Sequence, residues 1–415
     1  MRLFHTSLWG PEPNSCSSSS TPHIVVGITD SQTCRNLTGR LRAMREAGFR
    51  VTLVASPGEW LDETAASEGV QCVALPMERG IAPVADLISL VRLWSLLRRL
   101  RPDMTEFSTP KAGLLGTVAA MLCGVPRRIY MLRGFRFETC VGLKRAVLLL
   151  AERVASACAH AVLCTSPSMY AQALALHVAS ERKLHFLGDG SSNGVDAKRF
   201  SPGSNEMRES LGIPEGAPVV GFVGRLTRDK GVLELLDAFE TILKSSPSAH
   251  LLLVGWFDRA DDALGADVCA RIQNHPQIIF TDYVQDTAPY YRVMDVMVLP
   301  SKREGFPNAV LEAASTGISV ITTLSTGSRD SVVPEVTGLL IPPGYAEAIA
   351  EAVLALLRNP ERRRRMGVAA RTWILERFQD RHVLGLTLDY YKSLLEPAAE
   401  LQEFSPVTVL AGDRQ

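Results

Sequence analysis

The sequence carries no net charge, no paired cysteines and no apolar run long enough to cross a bilayer. Its 44 Lys+Arg balance 44 Asp+Glu, so nothing in the total charge points to nucleic acid as a partner. The eight cysteines (Cys16, Cys34, Cys72, Cys123, Cys140, Cys158, Cys164 and Cys269) are scattered, with no CxxC pair and no His cluster beside them. That argues against a structural zinc site and for reduced thiols in a cytoplasmic protein. The longest apolar run, Ala112 to Pro126, spans 15 residues and holds three glycines. A membrane span needs about 20 residues, so this run reads as a buried helix and any membrane association as peripheral. No apolar segment of the kind found in signal peptides precedes the polar stretch PEPNSCSSSSTP. A GxGxxG after the first strand and a GxxxxGK[ST] are both missing, which argues against dinucleotide oxidoreductases and P-loop enzymes.

What is present is a chain of 415 residues, 46% hydrophobic and 21% charged. This is an ordinary globular profile, with length for two or three domains. The neutral total hides an asymmetry. Residues 1–200 hold 23 basic and 16 acidic side chains, the remainder 21 and 28, and the basic excess concentrates in 87–150. A basic half suits a face that meets anionic lipid or a phosphorylated acceptor; uneven solvation of two domains accounts for it equally well.

Hydrophobic patterning predicts two α/β series. His23–Gly27 reads as a strand, Asn36 to Ala47 as a helix stopped by Gly48, and Arg50–Val54 as the next strand, which makes a βαβ unit. Val70 to Leu75, Arg127 to Leu132 and His160 to Cys164 read as further strands, Ala85 to Arg101 and Ala146 to Ala159 as helices. The second series opens with Val219–Val223 and the helix Gly231 to Leu243. It continues with strands His250–Gly255, Ile278–Phe280 and Val296–Leu299, the helix Asn308–Thr316, strands Ser319–Thr322 and Gly338–Ile341, the helix Ala346–Leu357, and a final helix Arg371 to Leu395. The expected organisation is a flexible tail (1–22), an acceptor-binding α/β domain (23–195), a linker (196–217), a second α/β domain (218–370), a last helix packing back on the first domain (371–395) and a tail (396–415). Both domains are Rossmann-like, doubly wound parallel sheets facing across a cleft, and ligands bind at the carboxyl ends of such strands.

Two segments carry chemistry. In Gly221 to Gly231 a buried strand ends at Gly224, Arg225 and Lys230 follow, and a helix opens. Two cations beside a helix N-terminus make an anion cradle that could neutralise a departing diphosphate, the task a divalent metal performs elsewhere. The same residues also occur as plain surface charges on loops. In Pro300 to Glu312 a hydrophobic strand runs into a loop with Glu304 and Gly305, and Pro307 marks a helix start. The amides of Phe306 to Ala309 could then offer a second anion site. Glu312 sits among Val310, Leu311, Ala313 and Ala314, where a carboxylate is costly without partners and the two hydroxyls of a ribose would satisfy it.

Together, GFVGRLTRDKGVLELLDAF and EGFPNAVLEAASTGISVITT resemble the C-terminal signature of family 4 glycosyltransferases, and the resemblance extends over about residues 23–395. It implies a GT-B fold and a retaining, metal-independent transferase that needs no cofactor besides its nucleotide-sugar substrate. By position, Arg225 and Lys230 would bind the donor diphosphate and Glu304 the donor sugar; Glu312 would hold the ribose. Gly224, Gly305, Phe306, Pro307, Asn308, Ala309 and Leu311 would line the donor site, with Val284 and Trp256 near the base. The acceptor side would involve Thr29, Ser31, Arg133 and Gly134. Two features depart from the family pattern. The first loop, Gly27-Ile28-Thr29-Asp30-Ser31, has a single glycine, and Arg133-Gly134 stands where many members carry His-Gly. An arginine stays protonated and cannot serve as a general base, but it can bind an acceptor phosphate.

The resemblance is strongest to bacterial enzymes of surface-polysaccharide assembly, such as exopolysaccharide and lipopolysaccharide. The expected function is transfer of a hexose or N-acetylhexosamine from a UDP-sugar to a glycan or polyprenyl-diphosphate-linked acceptor. The expected location is the cytoplasm, in peripheral contact with the anionic inner face of the membrane, and no nucleic-acid partner is implied. Two alternatives stand beside it: a nucleotide-sugar epimerase on the same architecture, and a non-catalytic nucleotide-sugar-binding protein.

Overall fold

The computed structural model describes residues 21–204, 206–258 and 262–396. Most of the two segments read above as tails lies outside the described residues. The first sheet contains β1 (His23–Gly27), β2 (Arg50–Ala55), β3 (Gln71–Ala74), β4 (Met104–Ser108), β5 (Arg127–Leu132), β6 (Ala161–Cys164) and β7 (Leu184–His185). They are all parallel, in the order β3-β2-β1-β4-β5-β6-β7. The second contains β8 (Val219–Val223), β9 (His250–Val254), β10 (Ile278–Phe280), β11 (Val296–Leu299), β12 (Ser319–Thr323) and β13 (Gly338–Ile341). These are also parallel, in the order β10-β9-β8-β11-β12-β13. Helices cover both faces of each sheet, which is why strands such as β8 are apolar and buried throughout instead of alternating. The winding direction reverses between β1 and β4 and again between β8 and β11. Those two switch points open crevices at the carboxyl edges of the sheets.

Several elements differ from the sequence expectation, each for a local reason. The helix expected over 36–47 begins as a 3-10 helix, Ser31–Leu37, and breaks at Gly39 in the left-handed region (φ 78°) before restarting as Arg40–Glu46. β4 escaped the hydrophobic reading because Thr105, Glu106 and Ser108 are polar yet fully buried. Helix Ala266–Asn274 also went unforeseen, while the long final helix is two, Pro360–Arg377 and Asp380–Leu395. Between them Phe378 and Gln379 leave the helical path to meet the other interdomain crossing: Val195 N donates to Phe378 O (2.8 Å) and Asp380 N to Val195 O (3.0 Å). The two crossings therefore run side by side, as a paired hinge. Residues 196–217 do not hang free as a tether, since Phe200, Ile213 and Ala217 are buried in the core of the second domain. The last helix returns to the first domain and seats Tyr391 in its core.

Candidate functional site

The two switch points face one another across a cavity of about 1800 Å³. On the second domain's side, β8 and β11 are hydrogen-bonded neighbours, so the loops that follow them meet although they lie far apart in sequence. Gly231 adopts φ 73°, and a Cβ there would lie 2.2 Å from the Pro300 carbonyl oxygen. The loop after β8 thus closes tightly onto the end of β11, and Lys230 Nζ reaches Glu304 Oε1 at 2.5 Å. Arg225 pairs with Asp258, just beyond β9.

The loop is braced from beneath by Asp229, a residue the sequence reading passed over although it stands next to Lys230. Its carboxylate accepts from Arg303 Nη2 (2.7 Å) and its carbonyl from the Lys302 amide (2.8 Å), so it joins the loops after β8 and β11. Burial would raise its pKa, but a hydrogen bond from Asp262 and the charges of Arg303 and Lys230 hold it well below the usual carboxylate range. Burial and the Asp229 carboxylate push Asp262 upward.

The helix Asn308–Thr316 begins at the cavity with Pro307 as its N-cap. Its first amides have no partner within the helix and are presented to the cavity beside Lys230. Gly305 is where the domains touch. A Cβ on it would lie 2.5 Å from the Arg133 carbonyl oxygen, so any larger residue would wedge the cleft open. Asp330 accepts from Ser168, and Thr326 Oγ1 donates to Glu138 Oε1 (2.7 Å), which adds to this junction.

Glu312 projects into the cavity, and its Oε2 accepts a hydrogen bond from the Tyr291 hydroxyl at 2.8 Å. Burial pushes its carboxyl up to about 7; the Tyr291 hydroxyl, Arg199 and Arg35 offset only part of this. A ligand diol that donates to the carboxylate selects the deprotonated form. Because the pKa is raised, that form is lost as pH falls through about 7. With Glu312 as the ribose ligand that the family resemblance implies, KM for a nucleotide-sugar is expected to rise about tenfold from pH 8 to pH 6, with Glu312→Gln flattening the profile, in initial-rate measurements across that range.

On the first domain's side, Arg133 and Gly134 follow β5 and line the cavity. Arg133 Nη1 donates to Ser192 Oγ (2.9 Å), while Nε and Nη2 are buried without partners. Burial and the neighbouring Arg40 lower its pKa to about 10, so it remains a cation at neutral pH. Thr29 also lines the cavity, with its hydroxyl already bonded to that of Thr109 at 2.7 Å.

The structure thus gathers Gly224, Arg225, Lys230, Trp256 and Val284 with Glu304 to Ala309 and Glu312 around one cavity. Two expected site residues fall elsewhere. Leu311 is fully buried in the second domain's core, because the helical turn that aims Glu312 at the cavity aims its neighbour at the sheet. Ser31 is buried against Gly58, whose Cβ would lie 2.2 Å from Ser31 Oγ. The loop's 3-10 geometry turns it away from the cleft. The sequence reading also missed Arg35, Trp60 and Tyr283, which line the cavity where the domains meet. None stands in a motif, and they come together only across the cleft.

Two doubly wound parallel-sheet α/β domains whose switch points face one cavity define a GT-B glycosyltransferase architecture. The family models agree: residues 203–373 match "Glycosyl transferases group 1" and residues 37–190 match "Glycosyl transferase 4-like domain". The chain is 32% identical over 370 residues to the capsular polysaccharide biosynthesis glycosyltransferase CapM of Staphylococcus aureus, covering 89% of this chain and 96% of that protein. It is 29% identical over 285 residues (66% of this chain, 72% of the other) to an Escherichia coli UDP-Gal:alpha-D-GlcNAc-diphosphoundecaprenol alpha-1,3-galactosyltransferase. Among solved structures it superposes on Anabaena Alr3699/HepE bound to UDP and glucose with a TM-score of 0.72 at 16% identity, covering 89% of this chain and 99% of that one. With sucrose-phosphate synthase from Thermosynechococcus elongatus the TM-score is 0.75 at 21% identity, covering 90% and 99%. This chain belongs to the group 1, 4-like glycosyltransferases, and it is a glycosyltransferase.

Proposed function

We propose that the protein transfers a hexose or N-acetylhexosamine, with retention of anomeric configuration and without a metal ion, from a UDP-sugar to a polyprenyl-diphosphate-linked acceptor in surface-polysaccharide assembly. The observation that carries the reading is the convergence of Arg225, Lys230 and the Asn308–Thr316 helix tip on one cavity. That charge suits a nucleoside diphosphate leaving group, and it supplies what a divalent cation would otherwise provide. Glu304 then faces the sugar and Glu312 the ribose. In the proposed reaction the bond from C1 to the diphosphate oxygen breaks. The acceptor oxygen bonds to C1 on the same face, and its proton passes to the departing diphosphate. Both relatives named above act in capsular or diphosphoundecaprenol-linked chemistry by their names, which supports the acceptor class. The unpartnered donors of Arg133 suit an acceptor phosphate.

A lipid-linked acceptor also calls for a membrane-facing surface. The helices Pro83–Leu100 and Gly142–Cys158, which both pack against the helix Pro110–Leu122, expose apolar side chains, with Val84 76%, Leu87 61%, Leu143 80% and Leu150 60% accessible. Exposed Arg92, Arg99, Lys144 and Arg145 accompany them, and Lys144 also lines the cavity. Apolar side chains flanked by cations suit the interface of an anionic bilayer. No described helix is long and apolar enough to span it. The test is a transfer assay with UDP- and GDP-sugars, in EDTA, using a polyprenyl-diphosphate-linked acceptor in anionic vesicles and a water-soluble analogue. Transfer from a UDP-sugar in EDTA is expected. Leu87→Glu with Leu143→Glu should cut turnover of the lipid-linked acceptor about tenfold and spare the soluble one. An epimerised UDP-sugar formed without acceptor, or dependence on added metal, would contradict the reading.

A further inference from the structure

Arg35 occupies a position that neither motif explains. It lies on the 3-10 helix Ser31–Leu37 directly after β1, and its guanidinium carbon sits over three aromatic rings. The centroid distances are 4.8 Å to Trp60, 4.9 Å to Trp256 and 4.3 Å to Tyr283. Trp60 belongs to the first domain, in helix Glu59–Glu68 after β2, whereas Trp256 and Tyr283 follow β9 and β10 of the second. The rings brace one another edge to face, Trp60–Tyr283 at 5.0 Å and Trp256–Tyr283 at 6.0 Å. The box exists only while the cleft is closed, because each domain contributes half of it.

Aromatic faces attract a guanidinium, but they do not satisfy its five N–H donors, which lie in the guanidinium plane. Among the described residues Arg35 makes no side-chain hydrogen bond or ion pair. It is half-buried and lines the same cavity as Val284 and Glu312, close enough that its charge and that of Glu312 shift one another. The cation therefore stands with its donors open to the cavity, beside the place where the donor's nucleoside would lie. A base or ribose offers acceptors of the matching kind: carbonyl and hydroxyl oxygens at the edge of a flat ring system.

We propose that Arg35, held in the box of Trp60, Trp256 and Tyr283, is the first domain's contribution to nucleoside recognition, so that binding of the donor's nucleoside and closure of the cleft are a single event. This rests on the donor reading above, in which the diphosphate is held by Arg225 and Lys230. Arg35 acts on the other end of the same molecule, and the two ends can be tested apart.

The experiment measures Kd for UDP, GDP and inorganic pyrophosphate on the full chain, as wild type, Arg35→Ala, Arg35→Lys and Trp60→Leu. In Arg35→Ala the Kd of the tighter-binding nucleotide is expected to rise tenfold or more, the scale of losing hydrogen bonds from a charged donor. Pyrophosphate binding should stay within about twofold. Trp60→Leu, which loosens the box and leaves the cation, should show the same selective loss to a smaller degree, and Arg35→Lys should restore only part of the affinity. Equal weakening of nucleotide and pyrophosphate would reduce Arg35 to a structural role and overturn the proposal. So would tighter nucleotide binding in Arg35→Ala, since the guanidinium would then be a plug. A wild-type chain that binds pyrophosphate but neither nucleotide would refute the donor reading itself, whatever the variants do.

Discussion

Arg225→Ala and Lys230→Ala are each expected to lower kcat by about 10²–10³-fold, the scale of removing one charge-stabilising donor from a transition state. The expectation follows from where negative charge develops. In the proposed reaction the diphosphate gains charge as its bond to C1 breaks, and the two cations and the helix tip at Asn308 are the groups assigned there to receive it. Lys230 carries a second consequence. It pairs with Glu304 at 2.5 Å, so in the proposed reading the diphosphate and the Glu304 carboxylate compete for the same cation. Glu304→Gln should therefore weaken the sugar contact while leaving UDP binding near normal or slightly tighter. The measurement is kcat and KM for donor, with UDP inhibition constants alongside. Near-normal turnover in both cation variants would end the proposed roles.

Arg40→Met is expected to destabilise the first domain by about 3–5 kcal/mol, the cost of leaving one member of a buried ion pair alone. Arg40 is almost fully buried. It donates to Glu106 Oε2 (2.8 Å), to the Tyr391 hydroxyl (2.7 Å) and to the Ser192 carbonyl (2.7 Å). Burial would raise the Glu106 pKa, but Arg40 and Arg133 overcome it and keep the group ionised. One guanidinium thus ties β4, the returning C-terminal helix and the segment leading into the hinge. Without it, Glu106 is a buried carboxyl with Arg133 as the remaining nearby cation. The double variant Arg40→Met with Glu106→Gln should recover only part of the loss, because the buried Glu106 charge is gone but Arg133 then loses its neighbouring carboxylate. Urea unfolding followed by tryptophan fluorescence measures both. A single variant within 1 kcal/mol of wild type would show that the cluster contributes little to the first domain's stability.

These two sites differ in how far they could be read beforehand. The cation loop follows a strand visible as an uninterrupted apolar run, and the glutamates follow another. Strand, turn and helix signals are local, so the elements bearing Arg225, Lys230, Glu304 and Glu312 were legible in order. Their meeting was legible too, since consecutive βαβ units impose a parallel sheet and place successive loops at one edge. Leu311 and Ser31 failed because motif membership does not say which way a side chain turns; helix phase and a 3-10 turn decided that. β4 escaped because its glutamate, Glu106, is buried against Arg40, a partner 66 positions away.

By itself, then, the sequence determined two doubly wound domains, the strand ends that line the cavity, and the residue types available there. These depend on periodicities of two and 3.6 residues and on turn chemistry within a short window. Only the tertiary structure decided what crosses between the domains: Gly305 against Arg133, Tyr391 under Arg40, and Arg35 among aromatic rings from both sides. Such contacts depend on where two chain crossings pair at Val195 and Gln379 and on the angle at which the hinge closes. No local pattern encodes that angle, because it results from many weak contacts added over the whole cleft.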